Sequence, residues 1–391
     1  MPNFDFMDNR VFDDRFSAFA PQGPQTIRDP ETKETRQINT GVHVRENGDA
    51  EFSLYAPNAS QVSVIFGIRA NEPLAMTKGE DGVWRAVLPY DASFCGPKAF
   101  TFDIDGASVI SQFCPQYYSH GMTVNYVEIP DSNEDFILMR DVPHGSVSTH
   151  FYWSDALNTW HRCLVYTPPM YHEGGVYPVL YLQHGSGENE TSWVYCGRAS
   201  HIMDNLIADG KAVPCVIVMN DGMVRTGNEG PHNYGSAFFS TVIDNCIPFI
   251  ESHYRVYRDK WHRAVAGFSM GSMQASVMGL TNLDKFAYIG VLSGFMRRVG
   301  KGFSMSPMEE NEHLRFMLDR ENFLKECRLY YRSIGTNDYY LKWFEQDNEM
   351  LAETGMDQYP NVESHTIPGY PHDWSTLRIE LRDFLVRIFR D

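Results

Sequence analysis

The amino-acid sequence predicts an α/β fold with a doubly wound, mostly parallel sheet, preceded by a small β-sandwich. Short runs of alternating apolar and polar residues, separated by turn residues, follow one another over 41–129. After a polar link that begins at Pro130, apolar strand-like runs alternate with segments of helical spacing to the end of the chain. We therefore expect three regions: an N-terminal arm (1–35), the sandwich (36–130) and an α/β domain (131–391).

The sandwich prediction depends on short strands and on the turns between them. The first two predicted strands alternate apolar and polar residues with period two, which is typical of a sheet with one buried face. Segments such as Ala56–Ser60 and Gly79–Gly82 are rich in residues that favour turns. The predicted strands cover 51–55, 61–66, 83–88 and 99–106. Short strands at this spacing are typical of a sandwich.

In the α/β domain the predicted strands are almost uniformly apolar, as expected of parallel strands that are buried on both faces. These strands cover 162–167, 177–183, 215–219, 263–267, 288–292, 329–334 and 362–367. The predicted helices cover 199–210, 238–253, 272–280 and 375–389. This order of strands and helices predicts a doubly wound sheet.

The charge of the chain excludes some partners. It has 50 acidic and 33 basic residues, a net charge of −17, and no local cluster of Lys or Arg. Such a field repels nucleic acid and acidic membrane surfaces, so we expect neither as a partner. The N-terminal residues do not resemble a signal peptide, and no apolar run is long enough to span a bilayer. We therefore expect a cytoplasmic protein, or a secreted one if a signal segment has been removed.

The cysteines and histidines do not form a metal-binding pattern. The seven cysteines are scattered and include no CxxC pair, which predicts free buried thiols in a reducing compartment. The sequence has no HExxH motif and no Cys/His cluster, and His161 and His172 have no partner at ligand spacing. We expect neither a metal nor a cofactor.

The clearest chemical signal is Gly267-Phe268-Ser269-Met270-Gly271, between a predicted strand and a predicted helix. A serine hydroxyl is a weak nucleophile that needs exposure, a base and donors for the oxyanion. A strand–turn–helix setting supplies the exposure, because the two glycines permit a sharp turn. The helix N-terminus then faces the developing negative charge. We predict Ser269 as a catalytic nucleophile; an ordinary glycine turn is the alternative.

A base should follow the serine in the chain, and three histidines lie downstream of it. His313 lies in a charged, helix-like stretch, where a solvated side chain is expected. His365 lies within an alternating strand. His372 lies in the loop Pro368–Trp374, between that strand and the last helix, which is where a base belongs. We predict His372 as the catalytic base.

The acid that orients this histidine is predicted at Asp338, in the loop that follows the strand 329–334. From there a carboxylate can accept a hydrogen bond from the imidazole Nδ1–H and fix its tautomer. Asp373 is the main alternative, but its adjacency to His372 in the chain gives poor geometry for that bond. Asp357 precedes a strand and therefore belongs to the wrong edge of the sheet.

A second glycine-rich turn, 183–187, follows an early buried strand. Such a turn supplies one backbone N–H of an oxyanion hole, and the residue after the nucleophile supplies the other. We predict Met270 as one donor and Ser186, or next Gly187, as the second. A plain glycine-rich turn is the alternative. His184 is expected to be structural.

Three motifs in the sandwich region recur in a known family: Phe-x-Leu-x-Ala-Pro-Asn-Ala-x-x-Val, Asp-Gly-Val-Trp and Phe-x-Phe-x-Ile-Asp-Gly. Together they resemble carbohydrate-binding family 48, an early-set β-sandwich. The resemblance implies a glycan-binding surface. The alternative, which we favour, is a structural module with Trp84 in its core.

A second set of motifs is spread over 140–391: Tyr166–Pro169, Tyr177–Gly185, Trp193, Gly197–Ala199, Asp204–Ala208, Ala266–Gly271 and His372–Trp374. In combination they resemble carbohydrate esterase family 1, whose members include feruloyl and acetylxylan esterases of the α/β-hydrolase fold. Ser272 departs from the third glycine that many relatives carry, and we expect this change to tighten the turn.

The second resemblance implies hydrolysis of an acyl ester on a plant cell-wall sugar. Aromatic residues in predicted loops would suit a planar hydroxycinnamoyl group: Trp193, Tyr195, Tyr234, Tyr339, Tyr340 and Trp374. We expect Trp193, Tyr234 and Trp374 to contact substrate, with core packing as the alternative for each. A feruloyl esterase is the first hypothesis, and an acetylxylan or siderophore trilactone esterase comes next. A glycan-binding protein on an inactive hydrolase scaffold is the non-enzyme alternative, and a homodimer is compatible with the sequence.

Overall fold

The structure, a computed structural model, describes residues 25–28, 33–67, 72–224, 236–297 and 311–390. The chain divides into two compact units, with the division between Asp135 and Phe136. The sequence placed this boundary at 130. Over the described ranges, no helix has both the length and the apolar composition needed to cross a bilayer.

The N-terminal unit is built from short antiparallel strands. They are β1 (Gln25–Arg28), β2 (Thr35–Ile38), β3 (Gly41–Val44), β4 (Ala50–Tyr55), β5 (Val62–Phe66), β6 (Leu74–Ala75), β7 (Thr77–Lys78), β8 (Val83–Leu88), β9 (Gly96–Ile104), β10 (Ala107–Val109), β11 (Gln116–Ser119) and β12 (Met122–Ile129). β1 pairs with β2, and the two larger sheets have the orders β3-β4-β8-β7 and β11-β12-β9-β5-β6, with β10 on β9.

Both larger sheets of this unit contribute to one apolar core, which confirms the predicted sandwich. The Phe52 ring packs edge-on against the rings of Phe66 and Phe100, with centroids 5.8 and 5.1 Å apart. Trp84 is also buried there, and its indole N–H donates to the Ala56 carbonyl at 2.9 Å. Trp84 is therefore a core residue and not a sugar-stacking surface.

The C-terminal unit contains one eight-stranded sheet. Its strands are β13 (Ser146–Ser154), β14 (Thr159–Thr167), β15 (Val179–Gln183), β16 (Val216–Asn220), β17 (Arg263–Phe268), β18 (Tyr288–Leu292), β19 (Leu329–Gly335) and β20 (Val362–Ile367). The spatial order is β13-β14-β16-β15-β17-β18-β19-β20. The β13–β14 and β14–β16 pairs are antiparallel and the other pairs are parallel. This is the predicted doubly wound sheet of an α/β-hydrolase.

Helices connect these strands. They are α1 (Ser192–Tyr195), α2 (Ala199–Ala208), α3 (Ser236–Ser240), α4 (Ile247–His253), α5 (Met270–Thr281), α6 (Arg315–Leu318), α7 (Arg320–Glu326), α8 (Leu341–Glu353) and α9 (Trp374–Leu385). The helix predicted over 238–253 is interrupted by a π-helical segment, Thr241–Cys246. Short 3₁₀ turns complete the connections: Ala92–Phe94, Asp135–Ile137, Tyr171–Glu173, Lys260–His262, Glu312–Leu314 and Met356–Gln358.

Helix α5 is the most deeply buried of these helices, and its composition explains why. All residues of α5 from Met270 to Leu280 are buried, so the helix has no solvent-exposed face over this range. Its glycines allow it to lie close to the sheet: a Cβ on Gly279 would approach the Ile289 side chain to 2.6 Å. The central helix and the strand β17 therefore form a rigid support for the turn between them.

The thiols contribute to packing rather than to cross-links. All seven cysteines lie in the described ranges, and each is buried and outside any disulfide, as predicted. Cys163 and Cys246, for example, belong to the main core of the C-terminal unit. Burial raises the pKa of the Cys114 thiol to about 12, so this group behaves as a small apolar side chain.

Candidate active site

The turn between β17 and α5 has the backbone geometry that the sequence predicts. Ser269 has a φ of 53° and a ψ of −117°, in a region that L-residues other than glycine rarely adopt. Such a conformation costs on the order of 1–3 kcal/mol and persists only where the surroundings enforce it. Its N–H donates to the Leu292 carbonyl at 3.1 Å, which ties the turn to the end of β18. The Ser269 side chain is partly exposed.

Both glycines of the motif are required by close backbone contacts. A Cβ on Gly267 would lie 2.4 Å from the Gly271 carbonyl oxygen. A Cβ on Gly271 would lie 2.5 Å from the His184 carbonyl oxygen. The first glycine thus lets strand and helix approach each other, and the second lets the helix approach the turn that follows β15.

Ser272 ties the serine turn to a neighbouring loop. Its hydroxyl donates to the Ser269 carbonyl and accepts the Phe295 N–H at 2.8 Å. A glycine at this position could make neither bond. The departure from the relatives' third glycine therefore adds a cross-link between the turn and the loop after β18.

His372 and Asp338 meet on loops that follow adjacent strands, β20 and β19. The His372 Nδ1 lies 2.7 Å from Asp338 Oδ2; the Asp338 side chain is buried and the His372 side chain is partly buried. The Tyr340 N–H donates to the other carboxylate oxygen at 2.8 Å. A carboxylate held in this way keeps the imidazole proton on Nδ1 and leaves Nε2 as an acceptor. The pair can therefore take a proton from a hydroxyl group.

The structure also separates the two candidate acids. Asp373 is the N-cap of α9, where its carboxylate accepts the Ser375 N–H at 3.0 Å. It is committed to capping the helix, whereas Asp338 holds His372. The sequence argument also preferred Asp338, because a side chain adjacent to His372 in the chain has poor geometry for that bond.

The other downstream histidines have structural partners. His313 was expected to be solvated, but it is buried and its Nε2 lies 2.8 Å from the Met296 carbonyl oxygen, so this expectation was wrong. His365 lies on β20, as predicted, and its Nε2 contacts the Glu363 carboxylate at 2.8 Å.

The turn after β15 lies beside the start of α5. The Glu188 N–H bonds to the Gly185 carbonyl at 3.3 Å, and Gly187 has a φ of 79°, which fits the third position of a type II turn. Ser186 and Gly187 occupy the centre of this turn, and Ser186 is exposed. Met270 is the first residue of α5, so its N–H has no acceptor within the helix. These N–H groups are the predicted oxyanion donors.

His184 holds this turn in place, as its expected structural role requires. It is buried, its Nδ1 lies 2.8 Å from the Gly185 carbonyl oxygen, and its Nε2 accepts the Gly222 N–H at 2.8 Å. The side chain therefore bridges the loops that follow β15 and β16.

Two of the aromatic residues predicted to contact substrate lie in the core instead. Trp193 is 1% exposed and Trp374 is 5% exposed, and their rings pack edge-to-face at 5.2 Å. Both rings also contact Phe268, at 5.5 and 4.9 Å. This cluster supports the strand end before Ser269, so the core alternative applies to both tryptophans. Tyr234 lies outside the described residues.

Aromatic side chains do surround the predicted base, but they come from the Asp338 loop. The Tyr339 ring is 65% exposed and lies 4.8 Å from the His372 ring. The Tyr340 ring lies at the same distance, perpendicular to the imidazole, and packs on Phe295 at 4.8 Å. In the sequence their only signal was two adjacent tyrosines in a predicted loop.

Glu188 ends the turn after β15 with a buried carboxyl group. His184, Trp374 and Ser192 each act to lower the pKa of this carboxyl, but less than burial raises it. Burial is the main cause that raises the pKa of Glu188 to about 8. A pKa of about 8 favours the protonated carboxyl at neutral pH.

We expect Glu188→Gln to reduce the loss of stability that the protein shows as pH rises. Unfolded Glu ionises near its ordinary pKa of 4.5, whereas the folded group keeps its proton up to about 8. Between these values the folded state binds more protons, so the free energy of unfolding falls as pH rises, by up to about 1.4 kcal/mol per pH unit. Urea unfolding at about pH 5 and about pH 8 should show a smaller loss in the variant. Equal losses in variant and wild type would contradict the assignment.

Each of the two units matches a known protein family. Residues 154–382 match the family model described as "Putative esterase", and residues 39–111 match carbohydrate-binding module 48 (isoamylase N-terminal domain). Over 263 residues the chain is 36% identical to an endo-1,4-beta-xylanase/feruloyl esterase of Xylanibacter ruminicola. The matched region is 64% of this chain and 36% of that protein. The chain thus spans about a third of the length of this relative.

Solved structures show the same fold. A feruloyl esterase module from Clostridium thermocellum in complex with sinapinate superposes with a TM-score of 0.54 at 24% identity, covering 70% of this chain and 96% of that one. An enterobactin esterase from Shigella flexneri superposes with a TM-score of 0.62 at 16% identity, covering 93% and 96%. At these identities the similarity establishes fold alone. Because the esterase match covers more than half of the sequence, the chain belongs to this esterase family and carries an N-terminal module of the carbohydrate-binding 48 type.

Proposed function

We propose that the protein is a serine esterase that hydrolyses hydroxycinnamoyl esters, feruloyl esters above all, on plant cell-wall oligosaccharides. The observation that carries the proposal is the 2.7 Å contact between His372 Nδ1 and Asp338 Oδ2. The pair lies at the sheet edge where the strained Ser269 turn projects. An oriented imidazole at the same sheet edge as a partly exposed serine is the arrangement that can activate a weak nucleophile.

In the proposed mechanism the Ser269 hydroxyl attacks the ester carbonyl and its proton passes to His372 Nε2. The N–H groups of Met270 and of Ser186 or Gly187 stabilise the oxyanion. Collapse of this intermediate breaks the bond to the sugar oxygen, which leaves with the proton from His372. Water, deprotonated by the same imidazole, then releases the acid and restores the serine. Asp338 stays ionised and orients the imidazole.

The aromatic surroundings of His372 favour a planar acyl group. Tyr339 is exposed beside the imidazole, and Tyr340 is fixed by Phe295 and Trp343. Aromatic rings that are fixed in this way present flat apolar faces to an arene at little cost in conformational entropy. The relative from Xylanibacter ruminicola, named as a xylanase and feruloyl esterase, supports the same substrate class.

Two other acyl groups remain alternatives. An acetylxylan esterase would use the same catalytic residues, Ser269, His372 and Asp338. It would not need the tyrosines beside His372. A siderophore trilactone esterase is suggested by the superposition with the enterobactin esterase, which extends over 93% of the chain, but at 16% identity this shows the fold alone. A glycan-binding protein without activity would not require the strained turn or the His372–Asp338 pair.

We expect the protein to cleave methyl ferulate with a kcat/KM at least tenfold above that for acetylated xylose. The reason is that an acetyl group makes no contact with the tyrosines. Release of ferulate can be followed by absorbance and release of acetate by a coupled assay. Release of acetate alone would exclude the feruloyl assignment, but the assignment as a serine esterase would still stand.

A further inference from the structure

The hairpin β13–β14 presents three large aromatic side chains to solvent. Phe151, Trp153 and Trp160 are 58%, 43% and 64% exposed. In the antiparallel register Trp153 lies directly opposite Trp160, and Phe151 lies opposite Arg162. Directly opposed residues share a face, and so do residues two apart on a strand, so the three rings lie on one face of the hairpin. We call these three residues the aromatic platform.

The other face of the hairpin is fixed in the core, so the platform is rigid. The Tyr152 hydroxyl donates to the Asn220 side chain at 2.7 Å, and its ring stacks on Phe249 at 5.6 Å. The Ser154 and Thr241 hydroxyls bond to each other at 2.6 Å. A hairpin that is fixed in this way has no structural need for three exposed aromatic rings. A contiguous patch of this kind marks an interaction site.

The platform lies at the same edge of the sheet as the proposed catalytic residues. β14 runs antiparallel to β16 and pairs Cys163 with Asn220, the last residue of β16. Trp160 and Arg162 therefore lie beyond the carboxyl end of β16, at the edge where Ser269 follows β17. Strands β16 and β15 separate β14 from β17. β14 is therefore three inter-strand spacings from β17. At about 4.8 Å for each spacing, the two strands are about 14 Å apart, which is the length of a few sugar residues.

An ion pair connects the platform with the turn after β15. Arg162 lies opposite Phe151 on the same face of the hairpin, and its guanidinium pairs with the buried Glu190 carboxylate and remains 47% exposed. Glu190 lies two residues after Glu188, which ends that turn. The ion pair therefore links the platform face, through a cationic group with several N–H donors, to the segment that follows the proposed oxyanion turn.

We propose that the aromatic platform binds the main chain of the acylated polysaccharide, while the esterified side group reaches Ser269. This inference rests on the proposed function. Pyranose rings have C–H faces that stack on aromatic rings, and their hydroxyl groups suit the neighbouring guanidinium. The Trp153 and Trp160 rings stand at 85° to each other with centroids 5.8 Å apart. Rings at this angle fit a single twisted chain better than a flat, crystalline glycan surface.

The charge of the protein favours a neutral chain as the occupant. The platform residues are uncharged, and a net charge of −17 repels acidic polymers. A second copy of this highly acidic protein is disfavoured for the same reason. Self-association through the same rings is therefore an outcome that the test distinguishes.

The test compares a polymeric with a small substrate. For the full chain, kcat/KM is measured on feruloylated arabinoxylan and on methyl ferulate, and the ratio of the two values is the readout. We expect the double variant Trp153→Ala, Trp160→Ala to lower this ratio by about tenfold or more. The matched control is Trp261→Ala, since Trp261 is 37% exposed but precedes β17 at the opposite edge of the sheet. The control should keep the wild-type ratio.

An unchanged ratio in the double variant would overturn the proposal. So would sedimentation showing that the wild type is a dimer and the double variant a monomer, since the platform would then be a self-association surface. If the wild type cleaves no methyl ferulate, the proposed function fails, and affinity electrophoresis in ester-free arabinoxylan still tests the platform. Retardation should be weaker in the double variant than in Trp261→Ala, and equal retardation would exclude a glycan site.

Discussion

Replacing Ser269 with alanine is expected to lower kcat for methyl ferulate by about four to six orders of magnitude while the fold is retained. The hydroxyl forms the covalent bond in the proposed mechanism, and no other group at the turn can replace it. The close approaches at Gly267 and Gly271 that shape the turn do not involve the Ser269 side chain, so the variant keeps them. Steady-state kinetics and circular dichroism of the purified variant check the two halves of the prediction.

The matched control for this experiment is Ser272→Ala. It removes a hydroxyl from the same turn but leaves the proposed nucleophile in place. Its expected effect is on stability, because the buried Phe295 N–H loses its acceptor, at a cost of about 1–3 kcal/mol. Activity of Ser269→Ala within tenfold of that of Ser272→Ala would contradict the role of Ser269.

Asp338→Asn is expected to lower kcat by about four orders of magnitude. The Tyr340 N–H donates to Asp338 Oδ1, so the asparagine carbonyl is expected to keep that position and the amide NH2 to face His372 Nδ1. A donor there favours the imidazole tautomer with the proton on Nε2, which cannot take the serine proton. The control is Asp373→Asn, because asparagine caps a helix as well as aspartate does. Kinetics of both variants on methyl ferulate distinguish the two carboxylates. A larger loss in Asp373→Asn would show that the acid is assigned to the wrong loop.

The strands and the order of the site residues could be predicted because each depends on local sequence. Apolar runs mark the buried parallel strands, and the glycines around Ser269 are required by backbone contacts within a few ångströms. His372 and Asp338 could be identified because parallel strands bring their following loops to one edge. Their separation of 2.7 Å agrees with that argument.

Other features depend on tertiary contacts that a single sequence does not show. β13 gives only a short aromatic run at its end, because it is an edge strand with an exposed outer face, and the polar segment before it read as part of a link. Trp193 and Trp374 read as loop residues, yet they pack together behind Phe268. His313 lies in a charged stretch, but its own side chain is buried against the Met296 carbonyl.

The aromatic platform was missed for a related reason. The segment 131–161 was not assigned to a strand, so the alternation of Phe151 and Trp153 carried no meaning. Only the register that places Trp153 opposite Trp160 shows that these rings form one surface. The same register places the surface at the edge where the proposed reaction occurs.

The central claim is that Ser269 forms an acyl-enzyme, and trapping that intermediate tests it most directly. The wild type is mixed with methyl ferulate, quenched in acid within one turnover, digested and analysed by peptide mass spectrometry. We expect a feruloyl group on the peptide that contains Ser269, and no such adduct in Ser269→Ala. A feruloyl adduct on a different residue, or full hydrolysis by Ser269→Ala, would contradict the account.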